Sequence, residues 1–237
     1  MFRLWFSLGT LVPMALFACG APCDAADLAP SPPSTEQSET KSRLNSILFF
    51  GGMMSTTDIW STMIFNVSRT SPGPNYDNYI AGAAYDRDLW DLGYGLNFGV
   101  EVGIADRFGK FKTCCHPSIM SNSILQSPEL WAGVQIRHGG ILLFDRVRVG
   151  GGLTFGLSFA STSIGNELKI QIEGSGSGRV LYYLGPELTL SSPTLPNFEL
   201  VLKLQHRSGG KTVLFLPTLA NRAEGANANT AGIRYRF

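Results

Sequence analysis

The sequence predicts an all-β chain, an eight-stranded antiparallel transmembrane β-barrel, and three observations carry that prediction. Apolar and polar residues alternate with period two from residue 77 onward, in runs of about ten residues or more, the length of a tilted membrane crossing. The second face of each run is small and polar, as the narrow lumen of an eight-stranded barrel requires. Short connections alternate with long ones, the pattern of short periplasmic turns and long extracellular loops. Alternation alone fits a soluble sandwich equally well, so strand length and loop asymmetry decide the class.

Composition agrees. Charged residues make up 16% of the 237, low for a soluble domain, so much of the surface is expected to meet something other than water. The net charge of +1 gives no argument for a nucleic acid or a strongly acidic partner.

The chain opens on Arg3 and an apolar stretch, Leu4 to Ala18, broken by Ser7, Gly9 and Pro13 and followed by small residues. This is too short for a membrane-spanning helix and has the layout of a secretory signal peptide, expected over 1–26 with cleavage after Gly20, Ala25 or Ala26. Leu16-Phe17-Ala18-Cys19 also resembles a lipidation box, although the bulky Phe17 fits it poorly. Residues 27–44 contain a run rich in Pro, Ser and Glu and are expected to be a flexible periplasmic segment, with the barrel over 45–237.

Strands are expected at 45–54, 77–86, 92–105, 129–143, 147–160, 179–190, 198–208 and 228–237. The first has the weakest pattern, because Ile47 to Phe50 is apolar on both faces. In the third, Leu92, Tyr94, Leu96, Phe98, Val100, Val102 and Ile104 lie opposite Gly93, Gly95, Asn97, Gly99, Glu101, Gly103 and Ala105. The fifth sets Leu153, Phe155, Leu157 and Phe159 against Gly152, Thr154, Gly156 and Ser158; the sixth sets Tyr182, Leu184 and Leu188 against Tyr183, Gly185 and Glu187. Short connections are expected near 87–91, 144–146 and 191–197, and long ones over 55–76, 106–128, 161–178 and 209–226. In the last strand Ala231, Ile233, Tyr235 and Phe237 alternate with Gly232, Arg234 and Arg236. An alternating strand ending on an aromatic is similar to the signal read by the outer-membrane insertion machinery. That machinery is an expected partner through Phe237, and the bacterial outer membrane is the expected location.

Four cysteines do not make a disulfide set. Cys19 and Cys23 fall in the expected leader, and Cys114 and Cys115 are adjacent, a spacing that resists unstrained disulfide geometry. His116 follows them, but two thiolates and an imidazole within three residues are a poor ligand set. No metal or other cofactor is expected, and the segment reads as a loop bearing two thiols.

One constellation points to chemistry. Phe198, Leu200, Leu202 and Leu204 form the lipid-facing row of the seventh strand, and the same parity continues to His206 and Ser208. Histidine and serine two apart on one strand face are near enough for imidazole to activate the hydroxyl. The outward row of the next, antiparallel strand begins Asn227, Asn229; if the hairpin pairs around loop 209–226 these fall beside Ser208 and His206, and an acceptor there can orient the imidazole as a third member. Gly209 and Gly210 follow the serine, and their N–H groups can face an oxyanion. The competing reading is a polar pair in the interfacial belt, bonded to headgroups or loop backbone. His116-Pro117-Ser118, a second His-x-Ser among only three histidines, shows how readily the tripeptide arises. Spacing alone does not choose between them.

The segment Leu204-Gln205-His206-Arg207-Ser208-Gly209, with Gly225-Ala226-Asn227-Ala228-Asn229 and the terminal Arg234-Tyr235-Arg236-Phe237, resembles the lipid A 3-O-deacylase (PagL) and acyloxyacyl hydrolase-like barrel family. The resemblance is sharp over roughly the last 35 residues and otherwise rests on topology. It implies an eight-stranded outer-membrane barrel that removes an ester-linked acyl chain from lipid A, with Ser208 as nucleophile and His206 as base. The family's third residue is a glutamate with a glycine two residues before it; matching Gly225 to that glycine puts Asn227 at the glutamate position. Asparagine orients a histidine but stabilises imidazolium less than a carboxylate does. Glu224 is the nearest carboxylate and the alternative third member, with the wrong parity if the strand already extends there. Val213-Leu214-Phe215-Leu216 is expected either to dip toward the bilayer and hold acyl chains or to prolong the strand above it.

The sequence thus points to a cofactor-free serine esterase acting on lipid A or lipopolysaccharide of the outer leaflet. The alternative is a non-catalytic small barrel with a structural or surface-binding role. The acyl position cleaved, and the choice between monomer and homodimer, stay open.

Overall fold

The computed structural model describes residues 44–55, 59, 62, 76–110, 124–172, 176–210, 217–220 and 225–237. The expected leader and nearly all of the periplasmic segment, Cys19, Cys23, Cys114, Cys115, His116, Glu224 and the apolar run 213–216 lie outside the described residues.

Eight strands form: β1 (Asn45–Ser55), β2 (Tyr76–Gly93), β3 (Leu96–Lys110), β4 (Ile124–Leu143), β5 (Val147–Ala160), β6 (Val180–Ser192), β7 (Leu195–Ser208) and β8 (Ala226–Arg236). Each pairs antiparallel with its neighbour, and β8 closes onto β1 in a register that sets Ile233 opposite Phe49. Closure answers the solvent. In hydrocarbon an open edge would leave a row of backbone N–H and C=O groups without partners.

The period-two pattern resolves as expected. Phe49, Val102, Ile104, Leu157, Leu200 and Ile233 are exposed on the outside, where an apolar belt meets lipid in barrels of the outer membrane. Aromatic pairs mark the belt's periplasmic rim, with Trp90 stacked on Phe98 at 5.3 Å and Phe198 against Tyr235 at 5.2 Å.

The inner row is polar, as the pattern required, and it is charged and paired rather than merely small. Arg234 reaches Asp86 at 3.0 Å, Glu187 at 2.8 Å and Glu199 at 3.3 Å, all buried. Glu101 takes Lys203, the indole N–H of Trp131 at 2.6 Å and the Thr154 hydroxyl at 2.9 Å. Arg137 and Arg236 share Asp88. These side chains fill the lumen. Each charge gave up hydration, so its partner is what makes burial tolerable. Beside them Trp131 stacks on Tyr183 at 5.3 Å and meets Phe50 at a tilt at 6.0 Å across the interior. Gly103 makes room for that stack, because a Cβ there would enter the Trp131 ring.

The strands outrun the expected plan, with β3 reaching Lys110 and β4 starting at Ile124 in place of the connection expected over 106–128, and two further features depart from it. The connection expected near 87–91 lies instead at Tyr94-Gly95, because β2 continues to Gly93. A bulge between Asp88 and Trp90 breaks the parity there, and the turn is built from Gly93, Tyr94 and Gly95 at φ 81°, 54° and 78°. The Asp91 carboxylate accepts from the Gly93 N–H at 2.8 Å and tightens it. Leu92 and Tyr94 therefore do not belong to the outer row of β3. Secondly, the connection over 161–178 contains a two-turn helix, α1 (Gly165–Ile172).

Candidate active site

The β7–β8 register sets His206 directly opposite Asn227, and His206 Nδ1 lies 2.6 Å from Asn227 Oδ1. An amide oxygen only accepts, so Nδ1 carries the proton and Nε2 keeps its lone pair. That is the tautomer a general base needs. Ser208 follows two residues on in the same row, opposite Tyr182 of β6, while Leu184 stands opposite His206. Among the described residues no hydrogen bond joins Ser208 to His206; the serine hydroxyl must turn toward Nε2 for proton transfer.

Parity put these side chains in the lipid-facing row, and their exposure adds a correction. Phe198, Leu200 and Leu202 are 40–48% exposed, whereas Leu204 and Ser208 are each 6% exposed and Asn227 is 7%. The extracellular end of the outer face is covered by chain, and the candidate site is recessed rather than open to lipid. From the β1 side the Thr62 carbonyl accepts from Asn229 Nδ2, and the Thr62 hydroxyl donates to Ser55 Oγ, both at 3.0 Å. From the β6 side the Tyr182 hydroxyl donates to the Pro217 carbonyl at 3.0 Å, and the Leu219 N–H to the Gly209 carbonyl at 2.7 Å.

Glycines set how closely the chain crowds the serine. Gly210 has φ 85°, and a Cβ on it would lie 2.5 Å from the Tyr182 ring. Gly225, just before β8, presses on the Arg207–Ser208 peptide: a Cβ there would stand 2.6 Å from the Arg207 carbonyl carbon and 3.1 Å from the Ser208 nitrogen. Only glycine lets β8 begin so near the serine.

Arg207, between the two candidate residues, points into the lumen. It meets Glu167 of α1 at 2.5 Å, Ser158 Oγ at 2.7 Å and Glu129 at 3.5 Å. Arg107 of β3 meets the same two carboxylates, Glu167 at 3.0 Å and Glu129 at 3.2 Å. Thus α1 caps the lumen with a fully buried Glu167, and the strand bearing His206 and Ser208 is tied to that cap. Sequence reading missed Glu167. The available signal was indirect: two inward arginines at one level with only Glu129 on the strands to balance them. Among the described residues no cluster of His, Cys, Asp or Glu is arranged to hold a metal ion.

No family model matches the chain, and no curated protein matches it. Among solved structures the chain is similar to the outer membrane enzyme PagL, with TM-score 0.47, 8% identity, and coverage of 81% of this chain and 99% of that one. It is also similar to Neisserial surface protein A, with TM-score 0.45, 11% identity, and 81% and 96% coverage. A third is Ail, the attachment invasion locus protein of Yersinia pestis, with TM-score 0.36, 15% identity, and 82% and 99% coverage. Such likeness concerns the barrel alone, and a barrel does not choose an activity.

Proposed function

We propose that the protein is an outer-membrane serine esterase that removes an ester-linked acyl chain from lipid A or a closely related glycolipid of the outer leaflet. The observation that carries this reading is the bond between His206 Nδ1 and Asn227 Oδ1, which leaves Nε2 as a base on the row that holds Ser208. Ser208 Oγ attacks the ester carbonyl while His206 Nε2 takes its proton. The oxyanion is met by the N–H groups of Gly209 and Gly210. The intermediate collapses, the sugar oxygen leaves with the proton from His206, and water then hydrolyses the acyl-serine by the same base. Asn227 fixes the ring without neutralising the imidazolium, so turnover is slower than with a carboxylate in its place. The row continues the lipid-facing face of β7, and catalysis requires the substrate ester to reach a serine that is only 6% exposed. The terminal strand with Phe237 serves recognition by the insertion machinery.

The low exposure of Ser208 favours the other reading, a non-catalytic barrel with a polar, chain-covered rim. Mass spectrometry of lipid A from cells producing the wild type or Ser208→Ala separates the two. Loss of one acyl chain with the wild type alone supports the esterase; identical spectra, with both proteins inserted, refute it.

A further inference from the structure

The chain that follows Ser208 must turn within two residues and still hold its backbone where a reaction can use it. Tyr182 stands at the centre of the contacts that fix this turn. It is the cross-strand partner of Ser208, so its side chain shares the outer face with the serine. Phe155 stacks on its ring from the β5 side at 6.1 Å and 16°. On the other side lies Gly210, so close that a Cβ on it would stand 2.5 Å from the ring, and at a φ of 85° that favours glycine. The Tyr182 hydroxyl donates to the Pro217 carbonyl at 3.0 Å, and two residues later the Leu219 N–H donates to the Gly209 carbonyl at 2.7 Å. Residues 217–219 thus form a strap, anchored at one end on Tyr182 and at the other on the turn itself.

The second anchor orients a peptide group. The C=O and N–H of a planar trans peptide point in opposite directions, so a Gly209 carbonyl turned to Leu219 turns the Gly210 N–H away from the strap. Tyr182 holds the strap on the β6 side; the opposite side is that of β8, where Asn227 bonds His206. Among the described residues the Gly210 N–H makes no hydrogen bond, so this donor is not already engaged within the chain.

We propose that Tyr182 is a positioning residue for the esterase: its ring seats Gly210 and its hydroxyl seats the strap, so that the Gly210 N–H is held toward the oxyanion. The proposal rests on the esterase reading and narrows it, because of the two N–H groups after Ser208 it is that of Gly210 which the strap orients. The test uses the purified full chain in detergent micelles, with heat-modifiable mobility showing that each variant is folded. Hydrogen exchange at the Leu219 amide reports the strap. Hydrolysis of lipid A in mixed micelles reports kcat and KM. The affinity for a long-chain trifluoromethyl ketone reports the oxyanion contact, because Ser208 Oγ adds to its carbonyl carbon, the hydroxyl proton passes to His206, and a tetrahedral oxyanion remains.

Deleting one oxyanion donor lowers kcat roughly a hundredfold to a thousandfold, so Tyr182→Phe, which loosens the donor without deleting it, is expected to lower kcat about tenfold. KM stays unchanged, ketone affinity weakens by the same factor as kcat, and the Leu219 amide exchanges faster. Gly210→Ala drives a methyl into the ring and is expected to cost about a hundredfold in kcat with Tyr182 present, but only about tenfold in Tyr182→Ala, where the backbone strain alone remains. This pair carries the test if Tyr182→Phe inserts poorly. Unchanged kcat and ketone affinity in Tyr182→Phe overturn the proposal, as does unchanged Leu219 exchange or a Gly210→Ala cost indifferent to the ring. If Leu219 exchange responds as stated while the wild type neither hydrolyses lipid A nor binds the ketone, the esterase reading fails and Tyr182 anchors the strap for structure alone.

Discussion

A methyl group at position 225 would occupy space already filled by the peptide that carries the nucleophile. A Cβ built there lies 2.6 Å from the Arg207 carbonyl carbon and 3.1 Å from the Ser208 nitrogen, against about 3.4 Å or more for ordinary contact. The nearest atom is the Arg207 carbonyl oxygen, at 1.9 Å, so Gly225→Ala must part β7 from the start of β8 by about 1.5 Å at this point. Overpacking of this kind costs about 1–3 kcal/mol of stability, which a barrel closed by eight strand pairs can absorb. Chemistry is less tolerant, because a misplacement of about 1 Å lowers turnover roughly a hundredfold. The expected result is a barrel with normal heat-modifiable mobility on gels and a kcat for lipid A hydrolysis down about a hundredfold. Gly51→Ala is the control: its Cβ would find only the Ile80 carbonyl, at 3.9 Å, and both readouts should stay at the wild-type level. Wild-type turnover in Gly225→Ala, with the protein folded, would show that the close approach of β8 has nothing to do with the site.

Replacing Asn227 with Glu should raise kcat by supplying the countercharge the imidazolium lacks; an unchanged rate would move suspicion to Glu224. Glu167→Ala leaves Arg107 and Arg207 buried with only Glu129 between them, and should lower the urea-unfolding free energy in bilayers by about 3–5 kcal/mol. A variant as stable as the wild type would show that the α1 cap does not hold the lumen charges. Gly103→Ala forces the Trp131 ring out of its stack with Tyr183, and near-ultraviolet circular dichroism should lose the signal of that pair. An unaltered spectrum would contradict the packing described.

Much of the barrel could be read from one dimension because its physics is local. An uninterrupted alternation bounded by turn residues placed β5 at Val147–Ala160, as observed. The same method misplaced the β2–β3 turn, since the bulge after Asp88 slips the parity and the Gly93-Tyr94-Gly95 stretch imitates a lumen row. Parity also put Glu101, Glu187 and Arg234 inside. Their pairing depends on which residues meet across the closed lumen, and no local pattern encodes that. Glu167 was invisible because its helix is short and lies in a connection without strand periodicity. The His206–Asn227 contact was legible in part: counting back from Phe237 fixed the parity of β8 and put Asn227 and Asn229 beside Ser208 and His206, whereas the observed register sets Asn227 opposite His206 and Asn229 opposite Leu204. The low exposure of Ser208 was not, because Thr62, which bonds Asn229, and Pro217, which bonds Tyr182, are remote parts of the chain that only the closed barrel brings to one rim.

Whether Ser208 is a nucleophile activated by His206 is measured by covalent labelling, without reference to substrate. The purified barrel, treated with a fluorophosphonate, should carry the adduct on the peptide containing Ser208, and His206→Ala should lose it. A wild type that stays unlabelled, or a label that persists equally in His206→Ala, would contradict the account.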